Sequence, residues 1–403
     1  MSFRISKLHL KRFRNHHDSS FELDPNLTVL YGRNAVGKTS VIEAVQMLCE
    51  GASFRKPTFS EMIEHGNELG SLTLEAYDPD VTPWRTRAVE LVLEPHKRTY
   101  TVNGKEVSLG EGIAGEIPVI VFSPDHLALI KNSASRRREE IDGVNKQLSK
   151  NYARLCREYT KTLKGRNRLL NEGYYNNPTF EAWDDQLVVV GSALYLNRAR
   201  LLEKLQILTQ IQHRDIDPTT TLAIEYTNNW GATPDATKEE LAIRFHEALR
   251  EYREQEIARR VTLVGPHRDD MIFSLDGHDA RTFGSQGQQR TIALAWKLAQ
   301  LDLVEQIAGI RPLLLLDDVM SELDQVRRDA LMRRVGNDTQ TIITTTNTHY
   351  FEPDLMERAL LIELGEGESG AVGKSGENEP EIDTPGPTKK TEKKTSKKHR
   401  EKA

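Results

Sequence analysis

The sequence predicts an α/β domain that is split by a helical insertion and followed by a disordered tail. Three observations predict it. First, the apolar stretch "LTVLYG" (Leu27–Gly32) runs into a glycine-containing loop and then into "SVIEAVQMLCEG", where Val41, Ile42, Val45, Leu48 and Cys49 share one helical face. Second, from Ser135 to about Arg259 the pattern becomes charged and mostly helical, without sustained heptads. Third, strand and helix patterns then alternate up to Leu364.

The elements follow in order. "FRISKLHLKRFRNHHDSSFEL" alternates and reads as early strands. Leu27–Gly32 is a strand ending in glycine, and Gly51 stops the helix after it. "GSLTLEAYD", "AVELVLEP" and "KRTYTVNGKEV" are strand patterns, with Asn103-Gly104 as a hairpin turn. "IPVIVFSPD" is an apolar strand. After the insertion, strands return at "RVTLVGPHRDDMIFSLDG". A helix opens after "GSQGQQR", then come the strand "RPLLLLDDV", a helix from Gln325, and the strands "TQTIITTT" and "RALLIEL". The predicted organisation is a discontinuous head, residues 1–125 and 258–364, an inserted helical lobe, 126–257, and a tail, 365–403. There is no internal repeat.

Composition bounds the function classes. The chain has 403 residues, 37% hydrophobic and 29% charged, so it is polar yet able to bury a core. No run approaches the roughly 18 apolar residues of a membrane span. The N-terminus has basic residues but no apolar core of a secretory signal. The two cysteines, Cys49 and Cys156, lack metal spacing and read as reduced thiols, pointing to a cytoplasmic protein. Net charge is −5, which argues against a simple basic DNA-binding domain. The charge is uneven: Lys389–Ala403 carries eight Lys/Arg against two Glu, hence +6, leaving −11 for the other 388 residues. Gly365–Pro387 is rich in Gly, Glu and Pro, and such a segment cannot bury enough apolar surface to offset its ordering entropy. The Lys-rich end is either a solvated tail or a source of nonspecific DNA affinity.

Two motifs carry the chemistry. "GRNAVGKTS" is Gly32, Arg33, Asn34, Ala35, Val36, Gly37, Lys38, Thr39 and Ser40, and it matches G-x-x-x-x-G-K-[ST] between an apolar strand and a helix. Its amides suit phosphate, Lys38 suits the β- and γ-phosphates, and the Thr39 hydroxyl suits Mg²⁺. "RPLLLLDDV" places two carboxylates at the C-terminal end of a strand buried on both faces, where ligands bind in parallel sheets. Asp317 is predicted to hold Mg²⁺. Asp318 is predicted either to position the attacking water or to act as a strand-end turn residue. Together these predict a nucleoside triphosphatase site. ATP is favoured over GTP because no guanine-reading N-K-x-D pattern is present.

Ser285, Gln286, Gly287 and Gln288 begin a helix whose polar N-terminus suits an anion. This stretch resembles the signature motif of ABC-type ATPases, in which one protomer closes on the γ-phosphate bound by the other. "SELD" (Ser321–Asp324) resembles the D-loop of that class, with Asp324 at its end. Phe13–Asn15, "GRNAVGKTS", Val121–Asp142, "GPHRDD" (Gly265–Asp270), "SQGQQRTIALAWKLA" and "PLLLLDDVMSELD" occur in this order, and the set resembles the RecF family, relatives of the Rad50 and SMC heads. The resemblance spans about residues 3–364. It implies an ABC-type head with an inserted helical lobe, and an ATP-dependent homodimer that clamps single-stranded, gapped or duplex DNA. It also implies slow, DNA-stimulated ATP hydrolysis, a role in recombinase loading, recombinational repair, replication and the SOS response, and the partners RecO and RecR. A protein-interaction switch with DNA secondary is the rival reading; a transporter ATPase is disfavoured by the lack of membrane segments.

The sequence departs from the wider class in two places. Asp318 stands where many ABC ATPases carry Glu, which predicts a slow switch. The usual His after the next strand is replaced by Thr345, Thr346 and Asn347, the candidate γ-phosphate sensors, with His349 beyond. Further candidates stay open. Arg136, Arg137 and Arg138 either meet DNA phosphates or form a solvated face with Glu139 and Glu140; Lys161, Lys164, Arg166 and Arg168 pose the same alternative. His267–Asp270 favours a structural or nucleotide-proximal role over a metal site. Arg14 and Asn15 either approach the nucleotide or close a strand-end turn.

Overall fold

The computed structural model describes residues 3–55, 57–107, 116–175, 177–335 and 339–365. The predicted tail lies outside the described residues from 366 onward. Among the described residues there are three sheets. One is antiparallel: β1 (Arg4–Phe13), β2 (His16–Glu22), β4 (Gly70–Asp78), β5 (Arg85–Leu93), β6 (Arg98–Val102) and β7 (Lys105–Val107), in the order β2-β1-β4-β5-β6-β7. The second is parallel: β3 (Leu27–Tyr31), β8 (Val119–Phe122), β12 (Leu313–Asp317), β13 (Thr341–Thr345) and β14 (Leu360–Glu363), in the order β14-β3-β13-β12-β8. The third joins β9 (Leu222–Thr227), β10 (Asp270–Leu275) and β11 (His278–Asp279).

The helices are α1 (Lys38–Glu50), α2 (Phe59–Met62), α3 (Pro124–Leu127), α4 (Ala134–Leu148), α5 (Lys150–Glu172), α6 (Pro178–Ile216), α7 (Lys238–Glu251), α8 (Arg253–Arg259), α9 (Gln286–Ala308), α10 (Gln325–Met332) and α11 (Pro353–Arg358). At 1.5 Å per residue α6 is about 58 Å long. It packs along α5, α7 and α9.

The run of leucines in β12 explains the layering. Leu314 and Leu316 join Val29, Ile120, Phe122 and Ile343 in the core shared with α9. Leu313 and Leu315 join Leu30, Val119, Val121 and Ile342 in the core shared with α1 and the antiparallel sheet. A strand feeding two cores reads as unbroken hydrophobicity rather than alternation. For the same reason α9 is buried on nearly every side from Thr291 to Leu301. The Gln340 amide stitches the two sheets: its Oε1 accepts from Ile5 N–H at 2.8 Å, and its Nε2 donates to Ile5 O and Asp24 O at 2.7 and 2.9 Å.

Two sequence expectations need correction. Residues 261–269 are not a strand; the segment is a series of turns, with Arg268 N–H donating to Gly265 O at 2.8 Å, and β10 begins only at Asp270. The insertion also contains a strand: β9 alternates buried Leu222 and Ile224 with exposed neighbours and pairs antiparallel with β10. Six residues of period-two pattern between long helices are easily overlooked.

Candidate nucleotide site

Because β13 lies between β3 and β12, the loops after all three strands open at one end of the parallel sheet. The loop after β3 is the glycine-rich motif. Gly32 has φ 153°, and a Cβ there would stand 2.4 Å from Leu364 O. Gly37 has φ 104°, and a Cβ would stand 2.5 Å from His16 Nε2. Neither position accepts a side chain. Ala35 also sits at positive φ, 67°. Arg33, Asn34 and Ala35 are exposed, Val36 is half-buried, and Ser40 is buried with its hydroxyl 3.4 Å from Asn15 Oδ1. Gly37 caps α1 without a side chain, so the helix presents its first-turn amides to an anion.

Lys38 is buried, and its Nζ donates to Gly32 O and Arg33 O, both at 2.7 Å. Burial lowers its pKa, opposed by the charges of Asp318 and Asp317. Thr39 Oγ1 donates to Asp317 Oδ1 at 2.8 Å. Thr344 Oγ1 donates to the same oxygen at 2.8 Å and accepts from Asp318 N–H at 3.1 Å. Thr344 is a residue that sequence reasoning missed. Its signal was only its place one residue before the expected sensors. Burial raises the Asp317 pKa, and the two threonine donors partly restore the charged form.

Asp318 adopts φ 50°, ψ 27°, an uncommon conformation for a non-glycine residue, and caps a 3₁₀ turn at Val319–Glu322. Its Oδ1 is buried without a hydrogen-bond partner, and burial raises its pKa. An orphaned buried carboxylate oxygen in a strained backbone is a feature that asks for a ligand. One hydroxyl and two carboxylates form an all-oxygen donor set, which fits Mg²⁺ completed by phosphate and water.

Of the sensor candidates, Thr345 is fully buried, its hydroxyl donating to Asn347 O at 2.9 Å and accepting from Asn347 N–H at 3.1 Å. Thr346 and Asn347 are exposed, and Asn347 Oδ1 accepts from His349 N–H at 2.9 Å. The Thr346 amide also favours the charged form of Asp318.

The signature residues open α9. Ser285 is its N-cap: its Oγ accepts from Gln288 N–H at 3.2 Å, and Gln288 Oε1 accepts from Ser285 N–H at 2.9 Å. Ser285 and Gln286 are exposed. Two arginines fasten this turn to the D-loop. Arg290 donates to Glu322 O and Oε2, both at 2.6 Å. Arg327 donates to Gly287 O at 2.7 Å and to Thr291 Oγ1 at 2.9 Å while pairing with Asp324. Sequence reasoning missed both. Among the described residues, no hydrogen bond or ion pair joins Ser285–Gln288 to the loop at 32–40.

The arginine trio divides. Arg137 is buried, forms a bidentate pair with Asp270 at 2.7 Å and donates to the carbonyls of Leu129, Ile130 and Asn132. It is therefore not available to DNA, and that expectation is withdrawn. Arg138 donates to Asp269 O, and Arg136 pairs with Glu139 at 3.5 Å. Arg166, fully buried, is likewise unavailable. His267 bonds Tyr159 and Thr262, while Asp269 accepts from Tyr226 and Trp230, so the "GPHRDD" block is spent on packing the insertion. No cluster of three or more His, Cys, Asp or Glu suited to a metal occurs among the described residues. Arg14 pairs with buried Glu43 of α1 at 2.8 Å, and Asn15 Nδ2 donates to Ala35 O at 3.2 Å, so both brace the loop.

Residues 4–362 match the RecF/RecN/SMC N-terminal domain model. The DNA replication and repair protein RecF of Synechococcus sp. (strain JA-3-3Ab) is 35% identical over 370 residues, covering 90% of this chain and 96% of that protein. The chain belongs to the RecF family. The RecF of Pelotomaculum thermopropionicum is 37% identical over 350 residues, covering 86% and 94%. Among solved structures, the recombination mediator protein RecF–ATP of the RecFOR pathway superposes with TM-score 0.84 at 28% identity, covering 93% of this chain and 98% of that one. The Smc head of Pyrococcus furiosus, TM-score 0.53 at 14% identity, shares the fold. The chain thus has the ABC-type ATPase head fold of a family of DNA replication and repair proteins. No described helix is long and apolar enough to cross a membrane.

Proposed function

We propose that this chain is an ATP-driven switch that clamps DNA as a homodimer during recombinational repair and replication. The observation that carries the reading is the meeting of Thr39 and Thr344 on one oxygen of Asp317, beside the unpartnered Asp318 carboxylate. Lys38 and the loop amides hold the phosphates of ATP. Thr39 and Asp317 hold Mg²⁺, which neutralises phosphate charge when bound. Asp318 orients and accepts a proton from the attacking water, and its short side chain keeps hydrolysis slow. Thr345, Thr346 and Asn347 face the γ-phosphate, with Thr344 positioning Asp317. Ser285–Gln288, set by Arg290 and Arg327, close on the nucleotide of a second copy, and Asp324 lies at that junction. The inserted lobe at 126–257 extends the DNA surface, with Arg136 and Arg138 as its remaining basic candidates. DNA at single-strand gaps raises turnover. The RecFOR pathway of the solved RecF–ATP relative supports RecO and RecR as partners in loading recombinase, as part of the SOS response, in the cytoplasm.

Light scattering tests this with ATP, with ADP, and for Lys38→Met with ATP. The expected result is a mass near twice 45.8 kDa with ATP alone, lost in the variant. A monomer under all three conditions, with or without DNA, overturns the dimer.

A further inference from the structure

A cavity of about 490 Å³ opens in the inserted region, between the end of β9, α8 and the turn before β10. It is remote in sequence from the glycine-rich loop. Its walls include Tyr252, Gln255, Arg259, Leu263, Arg268 and Asn229, and no carboxylate lines it. That is unusual for this region, where the other inward arginines are neutralised: Arg137 by Asp270, Arg166 by Asp184 and Glu256, Arg198 by Asp142, and Arg253 by Asp184. Arg259 and Arg268 have no carboxylate partner among the described residues, and both are exposed.

The two guanidiniums converge because the walls are fixed from behind. Asn229 Nδ2 donates to Leu263 O at 2.9 Å, and the Arg166 guanidinium ties Glu256 of α8 to Thr262 at 2.6 and 2.8 Å. Glu256 Oε1 accepts from Leu263 N–H at 2.8 Å, so this nearby carboxylate is spent within the wall. Arg268 Nη2 donates to Thr262 O at 3.1 Å, which aims the guanidinium and leaves its remaining N–H groups for a ligand. Two uncompensated guanidiniums on one cavity repel each other, and an anion between them removes that cost. A planar donor fork suits a phosphate oxygen pair better than an ammonium does. The amides of Asn229 and Gln255 and the Tyr252 hydroxyl add neutral polar groups around it.

We propose that this cavity is a phosphate-ester site, distinct from the nucleotide site, that takes the phosphate of a nucleotide unit, free or within a DNA strand. The DNA form rests on the DNA-binding reading above; the free-nucleotide form does not. The test uses the full chain carrying Lys38→Met, so that the glycine-rich loop does not compete. Binding of dAMP and of a 12-nucleotide single strand is measured by calorimetry, alongside Arg259→Gln and Arg259→Gln/Arg268→Gln. Because Arg259 makes no ion pair, the single variant is expected to fold as the parent does. The proposal expects affinity for at least one probe to fall about threefold in the single variant and about tenfold or more in the double. For the strand, the salt slope should also shrink by one to two units, since each lost phosphate contact removes about 0.9. Loss with dAMP alone assigns a free-nucleotide site; loss with the strand assigns a DNA contact. If the strand binds but neither variant weakens either probe, the cavity is overturned while DNA binding stands. If neither probe binds the parent, the cavity proposal is overturned, and DNA binding of the ATP-competent chain is then judged separately.

Discussion

The Thr39 hydroxyl donates to Asp317 Oδ1 across 2.8 Å, joining residues 278 positions apart. The contact closes the nucleotide site before any ligand arrives. It also fixes which oxygen of Asp317 is engaged, because Thr344 donates to the same atom. The other oxygen is the one left to turn toward a metal.

That geometry predicts a positioning effect for Thr344. Thr344→Val removes one donor and the acceptor of Asp318 N–H while keeping the β-branched shape of a central strand. Outer-shell partners of this kind are worth about 10–100-fold in metal affinity or activity. The expected outcome is a rise in the Mg²⁺ concentration needed for half-maximal ATP turnover, with nucleotide binding measured without metal unchanged. Thr344→Ser should restore the wild-type Mg²⁺ dependence. A variant with lower turnover at every Mg²⁺ concentration and no shift in the midpoint would instead mean that the strand was damaged.

Asp318 predicts a pH effect of definite sign. Burial raises its pKa, so it takes up a proton above the ordinary carboxylate range as the pH falls. A base must be deprotonated to accept a proton from water. Single-turnover hydrolysis should therefore fall on the acid side at a pH above the usual aspartate value of about 3.9. Asp318→Asn should abolish that limb together with most of the rate, leaving ATP binding intact. A pH profile unchanged in the variant would remove Asp318 from the proton transfer.

The parts of the molecule legible in the sequence were those where one local pattern served one purpose. Lys38, Thr39 and Asp317 meet because a strand, a glycine loop and a helix leave little freedom, and the four leucines of β12 announced a strand buried on both faces. What stayed hidden were side chains whose partners are distant in sequence. Arg137 looks like part of a basic surface, yet Asp270, 133 positions away, draws it inside. Arg327 carries no motif, and its meaning comes only from the carbonyl of Gly287. Strand β9 was lost among helices because its pairing partner, β10, lies beyond them.

Glu50 predicts how stability varies with pH. Its carboxylate accepts from Gln46 Nε2 at 2.7 Å and from Gln147 Nε2, and burial pushes its pKa up to about 7 from 4.5, opposed by the Lys297 charge. Between those two values the folded protein keeps a proton that the unfolded chain has released, so this group makes stability fall as pH rises through that window. The loss is about 2 kcal/mol, after allowance for water in the cavity that Glu50 lines. Carboxyl-labelled glutamate should show one resonance titrating near neutral pH. A spectrum in which every glutamate titrates below about 5 would contradict it.

Arg166 predicts a large stability effect without a chemical one. It is fully buried, bonded to Asp184 and Glu256 at 2.6 Å and to Thr262 at 2.8 Å, with its guanidinium 4.9 Å from the Phe180 ring centre. Arg166→Met leaves the Glu256 carboxylate in the interior without its cation. Removing one member of a buried pair costs about 3–5 kcal/mol. Denaturant titration should show that loss, while ATP binding in the folded fraction stays at the parent value because α5 is not part of the nucleotide site. A loss below about 1 kcal/mol would mean that water reaches Glu256.

Ser285 tests whether the signature turn acts across two chains. Its side chain caps α9 and is exposed, and Arg290 and Arg327 hold the turn from behind. Ser285→Arg places a long cation where the proposed second copy would bring its γ-phosphate and removes the cap, at a cost of about 1 kcal/mol. If the turn serves its own chain's nucleotide, ATP affinity should change in the monomer. If it serves a partner's, ATP affinity should be unchanged and the ATP-dependent doubling of mass should vanish. A one-to-one mixture with Lys38→Met separates the two further. In the mixed dimer, one interface joins an intact loop to an intact signature, and the other joins the two defects. Partial recovery of turnover on mixing, absent from either variant alone, is the outcome expected of a site shared between chains; no recovery at any ratio would confine each site to a single chain.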